Sequence, residues 1–457
     1  MRWCDLRVER LTLEDLARLG GPRGLAAEMR ARVPSGADVE ADVRAILAAV
    51  RERGDDALLE YTRRFDGLDI APEQLLVSPQ ALDEAMAGLS PEVYVGLESA
   101  IANVAQVAAT AVADDVTLRL PQGQQVSLRE LPVESAAVYV PGGRAPYPST
   151  VLMGTVTARA AGVLEVAVCS PPGPNGQIDA AVLAACRMCG VSRVYRMGGA
   201  QAVAALAYGT GVVASVDVIV GPGNLYVQEA KRQLSGVVGI DGFAGPSDLL
   251  VLLDQEADPY LAALDMLAQA EHGPGTFVGA VSPSPAALDV LARQLEALAT
   301  GHQVAPSACL FAEVGEAREA IAVANAFAPE HLQLMGPEFE ELAALVQSAG
   351  CLFVGSAAGT AFGDYAAGSN HVLPTAGAAR FSSGLSTRHF RRSMYEVRMD
   401  ADSAGRLAEL GAPVALREGF ELHALSMRAR MVGAEQPGRI IPPGPARGGA
   451  EESEGER

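Results

Sequence analysis

Four short apolar runs decide the predicted fold: AAVYVPGG (residues 136–143), EVAVCSPP (165–172), RVYRMGG (193–199) and VDVIVGPG (216–223). Each run ends in glycine or proline and precedes an amphipathic stretch, an alternation typical of parallel strands joined by helices. A second series follows, with DLLVLLD (248–254), TFVGAVS (276–282), ACLFAEV (308–314) and CLFVG (351–355). We therefore predict an α/β protein with two Rossmann-like domains, each an incomplete dinucleotide fold, facing a cleft.

Helical periodicity dominates on both sides of these strands. It covers residues 39–53, 57–65 and 91–111, and returns at 407–431 with a break at 411–413. We predict five parts: an N-terminal helical segment (1–31), a first α/β domain (32–138 with 248–390), a second α/β domain (139–247), a C-terminal helical tail (391–435) and a disordered end (436–457). The last part is rich in proline, glycine and charge, which favours disorder.

The composition excludes several classes of function. The 457-residue chain has a formal net charge of −20, which disfavours binding to nucleic acid or to an anionic membrane surface. Its longest apolar stretches are interrupted before the roughly 18 residues that a membrane span requires, and the N-terminus has no apolar run typical of an export signal. We expect a soluble cytoplasmic protein with neither nucleic-acid nor membrane partners.

Four of the six histidines lie in motifs that also carry acidic or amide side chains: QAEHG (269–273), APEHL (328–332), GDYAAGSNH (363–371) and REGFELH (417–423). Gln269 and His272 share a helix face at this spacing, although a helix-end cap is the alternative. Asp364 and His371 are predicted in the loop after the strand at 351–355, where α/β sheets gather ligands. The amide, imidazole and carboxylate of Gln269, His272 and Asp364 suit zinc, and His423 could supply a fourth ligand.

Glu330 and His331 indicate a specific chemistry more clearly than the possible zinc donors do. A carboxylate beside an imidazole is a usable pair for proton transfer near neutral pH, whereas the alternative is a helix start with an incidental histidine. Two glycine-rich turns, at 198–199 and 221–224, open helices whose N-termini could meet a pyrophosphate. The formal GxGxxA at 209–214 follows a helix and precedes a strand, the wrong order for a dinucleotide fingerprint.

Taken in order, the motifs resemble the histidinol dehydrogenase family from about residue 38 to residue 430. The matching blocks are YVPGGRAPYPSTVLM (139–153), GGAQAVAALAYGT (198–210), VDVIVGPGN (216–224), GIDGFAGPSD (239–248), LAQAEHG (267–273), NAFAPEHL (325–332), GDYAAGSNHVLPT (363–375) and EGFELHA (418–424). The resemblance implies a zinc-dependent, four-electron oxidation of L-histidinol to L-histidine through L-histidinaldehyde with two NAD, the last step of histidine biosynthesis.

The resemblance also implies a role for each motif residue. Glu330 and His331 would be the catalytic acid–base pair. The zinc ligands would be Gln269, His272, Asp364 and His423. Substrate would contact these four together with Ser247, His331, His371 and Glu418, and NAD would contact Tyr139, Gln201 and Asn224. The first α/β domain would then hold zinc and the catalytic residues, the second NAD, and the C-terminal tail a homodimer with shared active sites.

Several alternatives stay open at this level. The substrate could be another small polar alcohol, such as a sulfonated diol, or Glu330 could serve a zinc hydrolase with a metal-bound water. Glu418 and His423 would point about 140° apart on an ideal helix, so they must straddle the pocket or flank a distortion. Asp248 stands where the family usually has glutamate, beside the proposed substrate contact Ser247.

Overall fold

The computed structural model describes residues 8–33, 38–142, 145–243, 245–273, 275–300, 308–431 and 433. The predicted disordered end at 436–457 lies outside the described residues. The chain divides into two compact units, one of Met1–Val112 with Pro132–Arg392 and one of Ala113–Leu131 with Ser393–Arg457. Among the described residues, no helix is both long and apolar enough to cross a membrane.

The helices and strands follow one another in this order. The first part contains β1 (Val8–Leu11), α1 (Leu13–Arg18), α2 (Pro22–Arg30), α3 (Glu40–Arg53), α4 (Asp55–Asp66), α5 (Pro79–Ala87), α6 (Pro91–Thr110), β2 (Val116–Arg119) and β3 (Gln125–Pro132). Next come β4 (Ser135–Tyr139), α7 (Pro148–Ala160), β5 (Glu165–Ser170), α8 (Ala180–Met188), β6 (Arg193–Arg196), α9 (Gly199–Tyr208), β7 (Val218–Val220), α10 (Leu225–Leu234) and β8 (Gly239–Ile240).

The second half continues with β9 (Asp248–Leu253), α11 (Pro259–Ala270), β10 (Phe277–Ser282), α12 (Pro285–Ala299), β11 (Ala308–Glu313), α13 (Ala317–Phe327), β12 (His331–Met335), α14 (Pro337–Glu341), β13 (Cys351–Val354) and α15 (Thr360–Tyr365). The chain then forms β14 (Arg391–Arg398), α16 (Ala401–Arg417) and α17 (Glu421–Arg428).

The five-stranded sheet of the first unit has the order β6-β5-β4-β7-β8, with parallel pairing throughout. Numbered within the sheet, this is 3-2-1-4-5, the dinucleotide-fold order without its sixth strand. The four strand–turn–helix units predicted at 136–223 are confirmed. The central strands β4, β5 and β7 are mostly buried runs of small and β-branched residues, as a parallel sheet covered on both faces requires.

The six-stranded sheet of the same unit has the order β1-β11-β10-β9-β12-β13, again parallel. Strands β9 to β13 repeat the 3-2-1-4-5 order, and β1 extends one edge. The predicted class, α/β with two Rossmann-like parallel sheets, is therefore confirmed. Two strands of this sheet were not predicted: β1 lies in the segment expected to be helical, and β12 begins inside the APEHL motif, where the sequence offered a helix start.

Alternating side chains of each strand cover the two faces of the sheet. In β9, Leu249 and Val251 pack with α11 and α12 on one face, whereas Leu250 and Leu252 pack with α2 and α13 on the other. The five-stranded sheet is enclosed in the same way, by α5 to α8 on one face and by α3, α4, α9 and α10 on the other.

This packing differs from the predicted division at 32–138. We expected these residues to share a domain with 248–390, but the apolar faces of α3 to α6 pack against the five-stranded sheet. We also expected residues 1–31 to form a separate helical segment. Instead, β1 pairs with β11 and α2 packs on α13, so this segment joins the six-stranded sheet. Helical periodicity shows which face of a helix is buried, but not which sheet buries it.

The second unit combines a three-stranded sheet, of order β14-β3-β2, with α16 and α17. The predicted helical tail at 391–435 thus begins with a strand. The expected break at 411–413 is absent, because α16 continues through Pro413. The break comes at Gly419 (φ 86°), so Glu418 caps α16 while His423 lies in α17. The two residues flank a distortion, one of the two arrangements expected from their spacing.

Candidate active site

Glu330 and His331 lie in the tight connection between α13 and β12. Helix α13 ends at Ala328, in the left-handed conformation (φ 51°), and Pro329 follows. This reversal brings the pair to the start of β12, where Glu330 and His331 are only 8% and 2% exposed. Glu330 Oε2 lies 3.7 Å from His331 Nδ1, so a buried carboxylate and imidazole face each other.

The Glu330 carboxylate is held by the start of β9. The Ser247 hydroxyl donates a hydrogen bond to Oε2, and the Asp248 amide donates to the same oxygen at 3.1 Å. In return, the Glu330 amide donates to Asp248 Oδ1 at 2.7 Å. The parallel register that sets His331 beside Leu249 creates this reciprocal arrangement. Glu330 therefore has a fixed orientation, with its carboxylate partly satisfied.

The electrostatics of the pair favour a shared proton. Burial raises the pKa of Glu330, against the opposing charge of His331. Burial alone would lower the pKa of His331, but the neighbouring carboxylates of Glu330 and Asp364 outweigh it and raise the pKa to about 9. The pair therefore retains a proton near neutral pH and can exchange it between the carboxylate and the ring.

Asp364 approaches the other side of the His331 ring. Its Oδ1 lies 3.8 Å from His331 Nε2. Burial acts to raise the pKa of Asp364, but the neighbouring charge of His331 keeps it below its ordinary value. Phe353 stacks on the same ring, with centroids 5.9 Å apart. Asp364 was expected in a loop but lies in the short helix α15, which follows β13.

Gln269 and His272 border the site from the end of α11. Gln269 is buried, and its amide Nε2 donates to Ser247 Oγ, the hydroxyl that bonds Glu330. His272 lies just beyond the helix end and is exposed; its Nδ1 is 3.1 Å from the Gln269 carbonyl oxygen. The two residues were expected on one helix face, whereas His272 follows the helix and its ring contacts the helix's own carbonyl.

His371 is anchored between the two sheets of the first unit. Its Nε2 lies 3.1 Å from Thr150 Oγ1 on α7, and its Nδ1 lies 3.0 Å from the Asp364 carbonyl oxygen. Burial lowers the pKa of His371, although Asp364 opposes this effect. A neutral ring that donates from Nδ1 and accepts at Nε2 satisfies both contacts.

The cluster occupies an unusual edge of the six-stranded sheet. Ser247 precedes β9 and Glu330 precedes β12, so both lie at the amino ends of these strands. Open parallel sheets normally bind ligands at the carboxyl ends, the edge at which we expected Asp364. The expectation about the edge was therefore wrong, because α15 brings Asp364 to His331, which begins β12.

The residues expected to hold NAD surround the carboxyl ends of the five-stranded sheet. Tyr139 ends β4, and its hydroxyl accepts a hydrogen bond from the Gly199 amide at 3.0 Å. Gln201, in the first turn of α9, is 1% exposed, and its Nε2 has no hydrogen-bond partner among the described residues. Asn224 caps α10, accepting from the amides of Tyr226 (3.1 Å) and Val227 (3.2 Å). A buried unpaired amide beside a helix N-terminus suits a polar ligand.

The proposed zinc donors are divided between the two units. Gln269, His272 and Asp364 belong to the first unit, whereas His423 belongs to the second, where its ring lies 5.1 Å from that of Phe420. Within the described parts of the chain, no three His, Cys, Asp or Glu side chains are gathered as a metal cluster. The set in the first unit, one amide, one imidazole and one carboxylate, fits zinc by donor type but needs a fourth ligand.

Three residues that contact this site were not predicted. Thr150 holds His371, and Asp248 holds Glu330 through the bonds described above. Arg30, at the end of α2, forms an ion pair with Asp248. The substitution of aspartate for the family's usual glutamate at 248 drew attention to the right position, but no feature of the sequence points to Arg30.

A sheet in dinucleotide-fold order, together with a buried carboxylate–imidazole pair on a second such sheet, defines an α/β enzyme of the oxidoreductase class. The family model of histidinol dehydrogenase matches residues 29–431. The chain belongs to the histidinol dehydrogenase family, and it is an NAD-dependent oxidoreductase.

Relatives in sequence and in structure agree with this assignment. The histidinol dehydrogenase of Gluconobacter oxydans is 40% identical over 424 residues, covering 91% of this chain and 98% of the relative. That of a Synechococcus species is 43% identical over 399 residues, covering 86% and 92%. The crystal structure of histidinol dehydrogenase from Elizabethkingia anophelis is 29% identical, with a TM-score of 0.85 over 93% of this chain and 98% of that one.

Proposed function

We propose that this enzyme oxidises L-histidinol to L-histidine through L-histidinaldehyde, reducing two NAD and using one zinc ion per subunit. The observation that carries the proposal is the buried Glu330–His331 pair, with Ser247 on one side and Asp364 on the other. Removing hydride from an alcohol requires a base that accepts the hydroxyl proton, and the second oxidation requires water to add to the aldehyde.

His331 is proposed to accept the hydroxyl proton in the first oxidation. The His331 ring must first lose its own proton. The proposed acceptor is Glu330 Oε2, which lies 3.7 Å from His331 Nδ1. Glu330 then releases this proton to solvent, and in the second oxidation its carboxylate activates the water that attacks the aldehyde. Its raised pKa supports this role, because a carboxyl that binds protons more tightly than usual is a stronger base.

Zinc is proposed to bind Gln269, His272, Asp364 and His423. When bound, it would supply a Lewis-acid anchor for the amine and imidazole nitrogens of histidinol and so orient the substrate. Gln269 is linked to Glu330 through Ser247, and Asp364 contacts His331 directly, so these two ligands border the acid–base pair.

Further substrate and cofactor contacts are proposed for residues outside the pair. Ser247, His371 and Glu418 would contact histidinol together with His331 and the metal ligands, because imidazoles and a carboxylate suit a cationic, imidazole-bearing ligand better than a sulfonate. Tyr139, Gln201 and Asn224 would contact NAD. The unpaired Nε2 of Gln201 supports this assignment, since a ligand would satisfy it.

The active form is proposed to be a cytoplasmic homodimer with shared active sites and no nucleic-acid or membrane partner. Apolar side chains on the C-terminal unit support a subunit interface there: Leu410, Val414, Phe420, Leu422 and Leu425 are each more than half exposed. His423 and Glu418 belong to this unit, so the partner's C-terminal unit would complete each site.

The proposal is tested by following NADH absorbance with zinc-loaded enzyme, NAD and either L-histidinol or a sulfonated diol. We expect two NADH per histidinol consumed and histidine as the product. NADH formed from the diol alone would indicate a different alcohol dehydrogenase. Hydrolysis of an ester or amide without NADH would indicate the zinc hydrolase alternative, and either result would overturn the proposal.

A further inference from the structure

We propose that Arg30 and Asp248 are positioning residues that set the orientation of the Glu330 carboxyl and of the chain segment that carries it. This inference rests on the proposed catalytic role of Glu330. Neither side chain touches the acid–base groups directly, since the Asp248 side chain contacts the backbone amide of Glu330 and the Arg30 side chain contacts Asp248.

The ion pair between Arg30 and Asp248 lies inside the protein. Arg30 Nη1 is 2.7 Å from Asp248 Oδ2, and the Asp248 side chain is completely buried. Burial raises the pKa of Asp248, and the charge and hydrogen bond of Arg30 act against that rise. A buried carboxylate without its cation costs several kcal/mol, so Arg30 allows a carboxylate to occupy this position.

The two carboxylate oxygens of Asp248 bind different partners. Oδ2 faces Arg30, whereas Oδ1 accepts a hydrogen bond of 2.7 Å from the Glu330 amide. The Asp248 amide in turn donates to Glu330 Oε2 at 3.1 Å. Any rotation of the Asp248 side chain therefore moves the Glu330 backbone, and any shift of the Asp248 backbone changes the contact with the Glu330 carboxylate.

Arg30 also holds the helix that leads to Glu330. Its Nη2 donates to the carbonyl oxygen of Phe327, the last residue of α13. The guanidinium carbon lies 3.6 Å from the centroid of the Phe327 ring, in cation–π contact. The Arg30 side chain therefore contacts Phe327, before the reversal at Ala328, and is linked through Asp248 to Glu330, after it. A lysine could not make both hydrogen bonds in one plane.

The experiment compares R30A, R30K and D248N with R32A in the full-length enzyme. Arg32 is the matched control, because it lies two residues further along and its ion pairs among the described residues are with Glu9 and Glu28, both at 2.8 Å. We expect kcat for histidinol oxidation to fall about 10- to 100-fold in R30A and D248N, with KM changed less than about threefold, because a small misplacement of a catalytic group has this effect.

Chemical rescue separates positioning from a general loss of structure. Guanidinium chloride at non-denaturing concentration should restore part of kcat in R30A, but not in D248N or R32A, and sodium chloride of equal ionic strength should restore none. R30K should keep an intermediate kcat and serves as the second variant if R30A does not fold. Full kcat in both Arg30 variants, or a loss in R30A that guanidinium does not relieve, would overturn the inference.

Hydrogen exchange gives a readout that does not depend on the substrate. We expect faster exchange in R30A for peptides covering 328–335 and unchanged exchange there in R32A. If wild-type enzyme does not oxidise histidinol but R30A still loosens this segment, the proposed function fails and the positioning role stands. If wild-type enzyme oxidises histidinol but exchange in R30A is unchanged, the proposed function stands and the positioning role fails.

Discussion

Thr150 and His371 join the two sheets of the first unit at the candidate active site. Thr150 Oγ1 lies 3.1 Å from His371 Nε2, while His371 Nδ1 lies 3.0 Å from the Asp364 carbonyl oxygen. A carbonyl oxygen only accepts, so Nδ1 carries the hydrogen and Nε2 accepts from the threonine hydroxyl. The ring orientation therefore depends on a helix, α7, that packs against the five-stranded sheet.

We predict that T150V raises KM for histidinol about fivefold and changes kcat little. Valine has a similar shape but no hydroxyl, so the loss is that of one hydrogen bond, about 1 kcal/mol. Steady-state kinetics with saturating NAD measure the effect. T110V is the control, since Thr110 Oγ1 bonds only to the Val107 carbonyl within α6. An unchanged KM in T150V would show that this bond does not orient a substrate contact.

The division of roles between base and metal ligand predicts different losses in two histidine variants. H331N should lose turnover by orders of magnitude and keep its zinc, whereas H272N should lose both turnover and zinc. Metal content by elemental analysis, beside the NADH assay, distinguishes the two. Equal zinc loss in both variants would contradict the assignment of His331 as the base.

Shared active sites predict recovery of activity on mixing two inactive variants. If His423 serves the partner's site, a heterodimer of H331N and H423N subunits has one intact site and one doubly substituted site. Random exchange makes half of the dimers hybrid, so about a quarter of wild-type activity should return. If His423 serves its own subunit, every site keeps one substitution, and verified subunit exchange would restore nothing.

Asp66 predicts a pH dependence of stability on the proposed NAD side. Burial raises its pKa to about 6, and the backbone amide of Gly198 only partly opposes this. The folded state therefore binds the proton more tightly than the unfolded state, whose pKa is about 4, so stability falls as pH rises from about 4 to 6.

D66N removes this titration, and we predict that it is more stable than wild type above pH 6. The gain should be on the order of 1 kcal/mol, because solvent screens this half-buried group, and it should vanish near pH 4. Denaturant unfolding at pH 4.5 and 7.5 measures it. D69N, which loses only the exposed partner of Arg63, should follow wild type at both pH values. A pH-independent difference for D66N would refute the assignment.

Most strands of the two parallel sheets, and the Glu330–His331 pair, are predictable from local sequence. Apolar runs such as residues 216–223 end in glycine and proline, and their length and composition suffice to identify buried parallel strands. Strand β12 was not predicted, because Pro329 and Glu330 are typical of a helix start. Pairing with β9 and β13 makes the following residues a strand. Tertiary pairing overrides the local preference here.

The support of the catalytic pair is not predictable in this way. Arg30 and Asp248 are 218 residues apart in sequence, and an arginine at a helix end is ordinarily a solvated or capping residue. Only the packing of α2 on α13 makes it a buried partner. Likewise, the edge of the sheet on which Asp364 lies depends on the path of α15, which the short sequence at 360–365 does not specify.

The pairing of β1 with β11 has a consequence for biosynthesis of the chain. Val8 lies beside Cys309, so the edge strand made first has its partner only about 300 residues later. At roughly 5–20 residues per second, the nascent N-terminus waits about 15–60 s before it can join the sheet. The five-stranded sheet is translated completely within that interval, and the N-terminal segment, Arg30 included, docks among the last parts of the first unit.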